Sequence, residues 1–232
     1  MRTDVTVVAR SDASIHTEAV GGFAVRRTGP ARVHLISTAA TPLGGDEIRV
    51  RVVVEAGAVL RVGSVAATIA LPAAHRRDSS TGWTIEVEDG GELVCEPEPT
   101  IVAAGADHTT TTIVRMHPDA RVVVAEHVQI GRGALDTGAD GRWSGSLHVD
   151  AGDHPVLRHR LVLGDTARGH RGLTSTFTYP DVRPDAVSAK EYAARLRLAA
   201  VTAGSGRALT PTLTTALADR VSAARDIAAE LA

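Results

Sequence analysis

Aromatic residues are scarce in this chain: Phe, Trp and Tyr make up only 3% of its 232 residues. The interior must therefore be built from the Val, Ile, Leu and Ala that dominate the 44% hydrophobic content. Aliphatic and β-branched side chains pack well on pleated surfaces, so the composition favours a β-rich fold. The shortage of aromatic platforms also counts against a sugar-binding cleft.

A second cysteine, an excess charge of one sign and a long apolar run are missing as well. Cys95 alone cannot form an internal disulfide. The 25 Lys and Arg nearly balance the 27 Asp and Glu, so we expect no affinity for nucleic acid or membrane. No apolar stretch approaches the roughly 20 residues that cross a bilayer, and residues 1–4 lack the basic start of a signal peptide. We expect a cytoplasmic protein of one domain, with at most a small appendage.

Short runs of Val, Ile, Leu and Thr, separated by Gly, Asp and Pro, fill residues 5–177. This pattern predicts many strands joined by tight turns. A weak repeat of about 30 residues combines a small-residue turn with a strand at 55–62, 88–95 and 117–124. A stacked solenoid or β-helix produces such a period, and a β-sandwich of repeated hairpins explains it equally well.

The C-terminal segment 185–232 changes character. Ser188 and Glu191 have the spacing of a capping box, and Gly204 supplies a stop, which predicts a helix of about 15 residues. Thr210 followed by Pro211 resembles a second helix start. The sequence therefore predicts two C-terminal helices after a strand-rich domain at residues 1–178.

An apolar stripe marks the second predicted helix. Leu213, Leu217 and Val221 follow one another at intervals of four residues, as on one face of an amphipathic helix. Such a stripe usually faces its own domain. We therefore weigh two interpretations, in which these residues either pack on the sheet or bind a partner protein.

The usual catalytic signatures are absent from the sequence. It has no Walker loop, no His-Glu-x-x-His and no Gly-x-Ser-x-Gly, and one cysteine cannot form a multi-thiolate zinc site. The ten histidines are dispersed. His148, His154 and His159 are the densest group, yet a turn at 152–153 divides them, so they are weak metal candidates. We predict no enzyme and no tightly bound cofactor.

Residues 95–101 are the most unusual segment. Two prolines remove two backbone donors, so this stretch cannot be an ordinary central strand. Glu96 and Glu98 should point the same way if the chain is extended. Together with the thiol of Cys95, these two carboxylates could bind a divalent metal such as nickel transiently. The alternative is a solvated sheet edge protected by charge.

Two further acidic positions stand out. Asp46 follows a glycine pair in a predicted turn, where it could bind a metal or simply accept hydrogen bonds from backbone amides. Glu126 and His127 lie inside a long apolar run. One of the two must face the apolar side of a strand, where a buried charge needs a partner.

In this order these segments resemble the urease accessory protein family UreD/UreH. The resemblance covers about residues 36–163. The segments that carry it are Leu43-Gly44-Gly45-Asp46 before a Val-rich strand, Gly57-Ala58, Ala66-Ala67-Thr68, Glu96-Pro97-Glu98-Pro99-Thr100-Ile101, and Glu126 to Gly131-Arg132.

The resemblance implies a mainly β, β-helix-like or solenoid-like domain with C-terminal helices. It also implies a non-enzymatic chaperone that acts with UreF and the GTPase UreG on apo-urease, in a complex that can form a homodimer. Nickel would move through an internal polar passage, and Asp46, Glu98 and Glu126 match acidic positions of the family motifs. Two other functions remain open: a carbohydrate-active β-helix enzyme using paired carboxylates, and a β-solenoid adaptor without a metal role.

Overall fold

The computed structural model describes residues 1–132, 139, 141–164, 169–189 and 191–231. Most of these residues lie in strands, and the described part contains one α-helix of ten residues. No helix in these ranges has the length and apolarity that a membrane span requires. The elements are β1 Arg2–Ala9, β2 Ile15–Val20, β3 Phe23–Gly29, β4 Arg32–Ser37, β5 Glu47–Val54, β6 Val59–Ser64, β7 Thr68–Ala70, β8 Asp78–Val87, β9 Glu92–Cys95, β10 Thr100–Val102, β11 Asp107–Met116, β12 Arg121–Ile130, β13 Arg142–Ala151, β14 His154–Leu163, β15 Gly172–Tyr179, β16 Ala186–Val187, β17 Tyr192–Arg197, β18 Val201–Thr202, β19 Ala208–Leu209, β20 Thr212–Ala218 and α1 Val221–Glu230.

The strands wind into a β-solenoid of about three turns. Each turn of the solenoid places one strand in a first sheet and the next in a second sheet. The first sheet has a parallel centre of β1, β5, β8, β11 and β13, and the second has a parallel centre of β4, β6, β9 and β12. Antiparallel strands extend both sheets at their ends. The solenoid prediction is confirmed.

Tight turns of one form carry the chain from the first sheet to the second. The carbonyls of Glu55, Glu88 and His117 each accept a hydrogen bond from the amide three residues later, at 2.9, 2.9 and 3.0 Å. Gly57 and Gly90 adopt positive φ angles of 68° and 62°, a region that glycine enters without steric cost. These stacked turns are the structural cause of the sequence repeat.

Alternation along the strands builds the core between the sheets. In β5, Val50 and Val52 are buried whereas Arg49 and Arg51 are exposed, as the two-residue period of a strand requires. The main core consists chiefly of Val, Leu and Ile from both sheets. The aliphatic interior expected from the composition is therefore what the fold uses.

The first predicted helix is wrong, because the chain forms strand β17 where we expected it. The Ser188 hydroxyl does accept a hydrogen bond from the Glu191 amide, at 3.1 Å, but this bond closes a turn. The chain then runs extended, with Ala193 and Arg195 buried, and pairs antiparallel with β20. Pairing with a neighbouring strand outweighs the local helix propensity here.

The second predicted helix exists, but it begins at Val221 and not at Thr210 as the sequence predicted. Leu213 and Leu217 lie in β20, which pairs with β15 and β17 and so continues the second sheet. Leu213 packs in the main core and Leu217 packs against a smaller cluster. Only Val221 belongs to the helix.

Helix α1 lies against the outer face of the second sheet. Its Ala224 is fully buried and packs with Ala193 and Ala216 of the sheet. The amide of Val221 donates to the side-chain oxygen of Gln129 on β12 at 2.8 Å, which satisfies one free donor at the helix start. The start of the helix is thereby fixed beside the C-terminal end of β12.

Leu213→Ala should lower the free energy of unfolding by about 2 to 5 kcal/mol, because it leaves a cavity in the main core. Leu196→Ala is the matched control, since Leu196 is the cross-strand neighbour of Leu213 yet is half exposed. The control should cost less than about 1 kcal/mol. Urea denaturation of both variants measures the difference. An unchanged stability of Leu213→Ala, together with lost co-purification of UreF, would restore the docking interpretation.

Candidate functional site

The second sheet is interrupted beside the middle of β12. Its parallel partner β9 ends opposite Val124, and the next partner, β10, begins opposite Val128. Residues 96–99 bridge this interval outside any strand. Pro97 and Pro99 have no amide hydrogens to donate to a ladder, which explains why the pairing stops here. The prediction that this segment is not an ordinary central strand is confirmed for residues 96–99.

A cavity of about 190 Å³ lies between the two sheets next to this interruption. Its walls are largely apolar and include Ile48, Trp83 and Ile85 of the first sheet. Exposed Val65 and Glu98 also line it, so the cavity reaches the surface beside the proline-containing segment.

Glu126 of β12 faces this cavity. Its carboxylate accepts a hydrogen bond from the Thr110 hydroxyl, which in turn accepts the indole N–H of Trp143 at 3.0 Å. Burial raises the pKa of Glu126 to about 7, and the Thr110 hydrogen bond offsets only part of that rise. A carboxyl group with this pKa exchanges its proton near neutral pH.

A second, small cavity of about 20 Å³ borders the other side of Glu126. His159 and Ser175 line it, so Glu126 stands between two interior spaces. Gly145 makes this arrangement possible: a Cβ there would lie 2.1 Å from the Trp143 ring and 2.9 Å from a Glu126 carboxylate oxygen. Burial lowers the pKa of His159, which favours the neutral imidazole.

An open groove of about 490 Å³ lies on the opposite, outer side of β12, beside α1. Glu96, Glu98 and His127 line it, together with Arg225 of the helix. The Arg225 guanidinium lies 3.4 Å from a Glu98 carboxylate oxygen. Neighbouring residues of a strand point to opposite faces, so Glu126 is the residue that faces inward and His127 faces the groove. The two glutamates share a face, as their spacing predicted.

Residues 2–229 match the family described as UreD urease accessory protein. The chain belongs to the UreD family. The Urease accessory protein UreD of Frankia alni is 39% identical over 191 residues, 74% of this chain and 64% of that protein. UreD 1 of Saccharopolyspora erythraea is 40% identical over 149 residues, 62% of this chain and 55% of that protein. UreD of Streptomyces avermitilis is 38% identical over 156 residues, 66% of this chain and 61% of that protein. The chain thus spans less than two thirds of each of these relatives.

Asp46, the third acidic residue that the sequence singled out, does not line the cavity that Glu126 faces. Its carboxylate accepts hydrogen bonds from the Thr41 hydroxyl and the Leu43 amide, both at 2.9 Å, and from the amino group of Met1. Burial by itself raises the pKa of Asp46, but these bonds outweigh it and leave the pKa below its usual value. Its contacts are those of a turn cap.

Cys95 and Glu96 do not form one ligand set. Cys95 is buried in the core and lines the interior cavity, whereas Glu96 is exposed in the outer groove, because consecutive extended residues alternate in direction. Burial, followed by the charge of Glu96, raises the pKa of the Cys95 thiol to about 12. The thiol is therefore protonated and is a poor metal ligand at neutral pH.

One group of possible metal ligands is not evident from the sequence. Asp89, His117 and Asp119 place their ligand atoms within 4.8 Å of one another on the stacked turns. The repeat aligned these turns in sequence, but it did not show which side chains converge. In the described part of the chain this is the one such group found, so His148, His154 and His159 do not form another.

The paired-carboxylate enzyme is not favoured by this geometry. Glu96 and Glu98 lie in an open groove whose lining contains no Trp, Tyr or Phe. Asp46 is engaged by its own turn. The groove that holds both glutamates therefore offers no aromatic platform for a sugar ring, and Asp46 is not available as a partner acid.

The raised pKa of Glu126 predicts a pH-dependent stability. Between pH 4.5 and about 7 the unfolded chain loses the Glu126 proton while the folded chain keeps it, so folding weakens as pH rises through this window. Relative to Glu126→Gln, the wild-type protein should lose up to about 3 kcal/mol between pH 4 and pH 8. Urea denaturation at both pH values measures this difference.

The exposed Glu92→Gln variant, on neighbouring β9, is the control and should show no comparable change. A pH-independent difference between wild type and Glu126→Gln would contradict a raised pKa of Glu126.

Proposed function

We propose that this protein is a non-enzymatic urease accessory protein that helps to insert nickel into apo-urease. It would act in the cytoplasm with UreF and UreG, within a dimeric complex. Support comes from its UreD family membership and from relatives whose names describe urease accessory proteins. The observation that carries the proposal is the buried carboxyl of Glu126 between two interior cavities.

Glu126 is suited to bind a moving divalent ion weakly. Nickel accepts carboxylate and imidazole ligands, and both Glu126 and His159 border the small inner cavity. Two scattered ligands, unlike a closed cage of four or more, allow the ion to leave again. A carboxyl with a pKa of about 7 also releases its proton readily when a cation arrives.

Glu98 is the second acidic residue along the proposed path. It lines the interior cavity and the outer groove, so it lies where the interior meets the surface. Its carboxylate is paired with Arg225, and the weak, exposed pair can open at little cost. We propose that nickel passes between Glu98 and Glu126, and we assign no transit role to Asp46 or Cys95.

We place the partner surface away from the stripe formed by Leu213, Leu217 and Val221, because Leu213 and Leu217 pack inward. Apolar side chains that remain exposed near this end include Tyr192 and Leu196 of β17. We propose that UreF contacts this edge of the second sheet.

Glu126→Gln should leave assembly with UreF, UreG and apo-urease intact while lowering the nickel content of the urease severalfold. Glutamine keeps the size and hydrogen-bonding capacity of the side chain but removes the anionic ligand. Co-expression followed by complex purification and metal analysis of urease measures both quantities. Glu126→Asp is the matched variant that keeps the charge, and it should retain more nickel loading than the glutamine.

A normal nickel content of urease with Glu126→Gln would show that Glu126 is not part of the nickel path. Joint loss of complex and nickel would instead show that Glu126 stabilises the fold or the assembly. Glu98→Ala is expected to lower nickel loading with the complex intact, and the same two outcomes apply to it.

A further inference from the structure

Two residues that line the outer groove each have a buried polar atom without a hydrogen-bond partner among the described residues. The atoms are Nε2 of His127 and Oγ1 of Thr214, and both residues are more than nine-tenths buried. Buried polar atoms are normally paired, so each such exception requires a reason. Both belong to residues that line the same groove beside α1, which points to a ligand or its bound water there.

The His127 ring is held in place from its other side. Its Nδ1 lies 2.7 Å from the Thr174 hydroxyl, and Thr174 is the residue directly opposite on β15. When Nδ1 carries the proton and donates it to this hydroxyl, Nε2 presents a lone pair to the groove. Metal-binding histidines use this arrangement, in which one nitrogen is fixed by a hydrogen bond and the other is the ligand.

Glu96 supplies a second ligand at a suitable distance. Its Oε1 lies 3.8 Å from His127 Nε2, which is too long for a hydrogen bond. Metal–nitrogen and metal–oxygen bonds are each about 2.0 to 2.2 Å, so one ion fits between the two atoms. The side chain of Glu96 is more than half exposed and can adjust to the ion.

Two arginines line the groove together with Glu96. Arg225 forms an ion pair with Glu98 at 3.4 Å, and Arg183 forms one with Asp181 at 2.6 Å. The charge of Arg225 also acts on Glu96, so the Glu96 carboxylate is partly compensated. A cation bound between Glu96 and His127 would meet this carboxylate beside an imidazole nitrogen that has no hydrogen-bond partner among the described residues.

We propose that His127 and Glu96 bind a divalent metal ion in the outer groove beside α1. The ion is nickel if the proposed function holds, and the inference rests on that function for this identity alone. Glu98 lines this groove as well as the interior cavity, so it would connect the bound ion to the proposed path. The site would then hold the cargo before it passes between Glu98 and Glu126.

Direct binding of Ni²⁺ to the purified full chain tests the site without any assay of urease. Equilibrium dialysis followed by metal analysis should show that His127→Ala and Glu96→Gln each lose one bound equivalent. Glu96 is exposed, so its substitution keeps the fold even if the buried His127 variant proves unstable. Thr174→Val, which removes the hydrogen bond that orients the ring, should weaken the same equivalent by roughly 10- to 100-fold.

His16→Ala is the matched control. His16 and Glu18 form another His–Glu pair, exposed on β2, with 3.0 Å between Nε2 and Oε1. This control should bind as much Ni²⁺ as the wild type. Unchanged binding by Glu96→Gln and His127→Ala would overturn the inference, and so would an equal loss in the control.

Failure of this site is distinguishable from failure of the proposed function. If Glu96→Gln binds Ni²⁺ normally while Glu126→Gln lowers nickel in urease, the groove site is wrong and the passage stands. If Glu96→Gln loses an equivalent while Glu126→Gln loads urease fully, the groove binds metal and the passage through Glu126 is wrong.

Discussion

Hydrogen bonding between parallel strands of successive solenoid turns is the interaction on which the rest of this structure depends. Each turn of the solenoid presents an apolar face that only its neighbours can cover, so the ladder fixes which residues become core. The register is continuous from β5 through β8, β11 and β13 in the first sheet. The strand residues that line the core and the cavities are placed by this ladder and by the alternation of strand residues.

The candidate site exists because the second sheet departs from this ladder at one place. Two prolines end β9 early, and β12 continues past the gap before β10 restores the pairing. Opposite the gap, Glu126 and His127 are adjacent in sequence and face opposite sides of the sheet. A local loss of backbone pairing thus places an acid in the interior cavity and an imidazole in the outer groove, separated by one layer of backbone.

Several features could be predicted from the sequence because they depend on local chemistry. The β-rich fold followed from the strand pattern, and the interruption at 96–99 followed from the prolines. The repeat was compatible with a solenoid and with a β-sandwich, and the family resemblance favoured the solenoid. The C-terminal helices were harder for a physical reason. Leu213 and Leu217 are four residues apart, and residues at this spacing share one face of a strand as well as one face of a helix. Spacing alone could not separate the two, and the pairing of β20 with β15 decided it.

The sequence alone could not predict which side chains from distant turns meet, because this depends on the register between strands. That one of Glu126 and His127 faces inward was predictable, but which one depends on the register of β12 against its neighbours. Likewise, His127 meets Thr174 only because β15 pairs with β12 in antiparallel register. Asp46 shows the opposite case, since its turn chemistry was local and its contacts are those of a cap.

The free-energy cost of ionising Glu126 in its apolar cavity explains its raised pKa. An ionised carboxylate in an apolar cavity is expensive, and one hydroxyl donor compensates little of that cost. With a pKa of about 7, the side chain is protonated in about half of the molecules at neutral pH. Under the proposed function, a divalent cation that reached Glu126 would supply the missing counter-charge and displace the remaining proton. The burial that destabilises the anion would therefore couple proton release to cation binding, and a fully solvated carboxylate, already ionised at neutral pH, would not show this coupling.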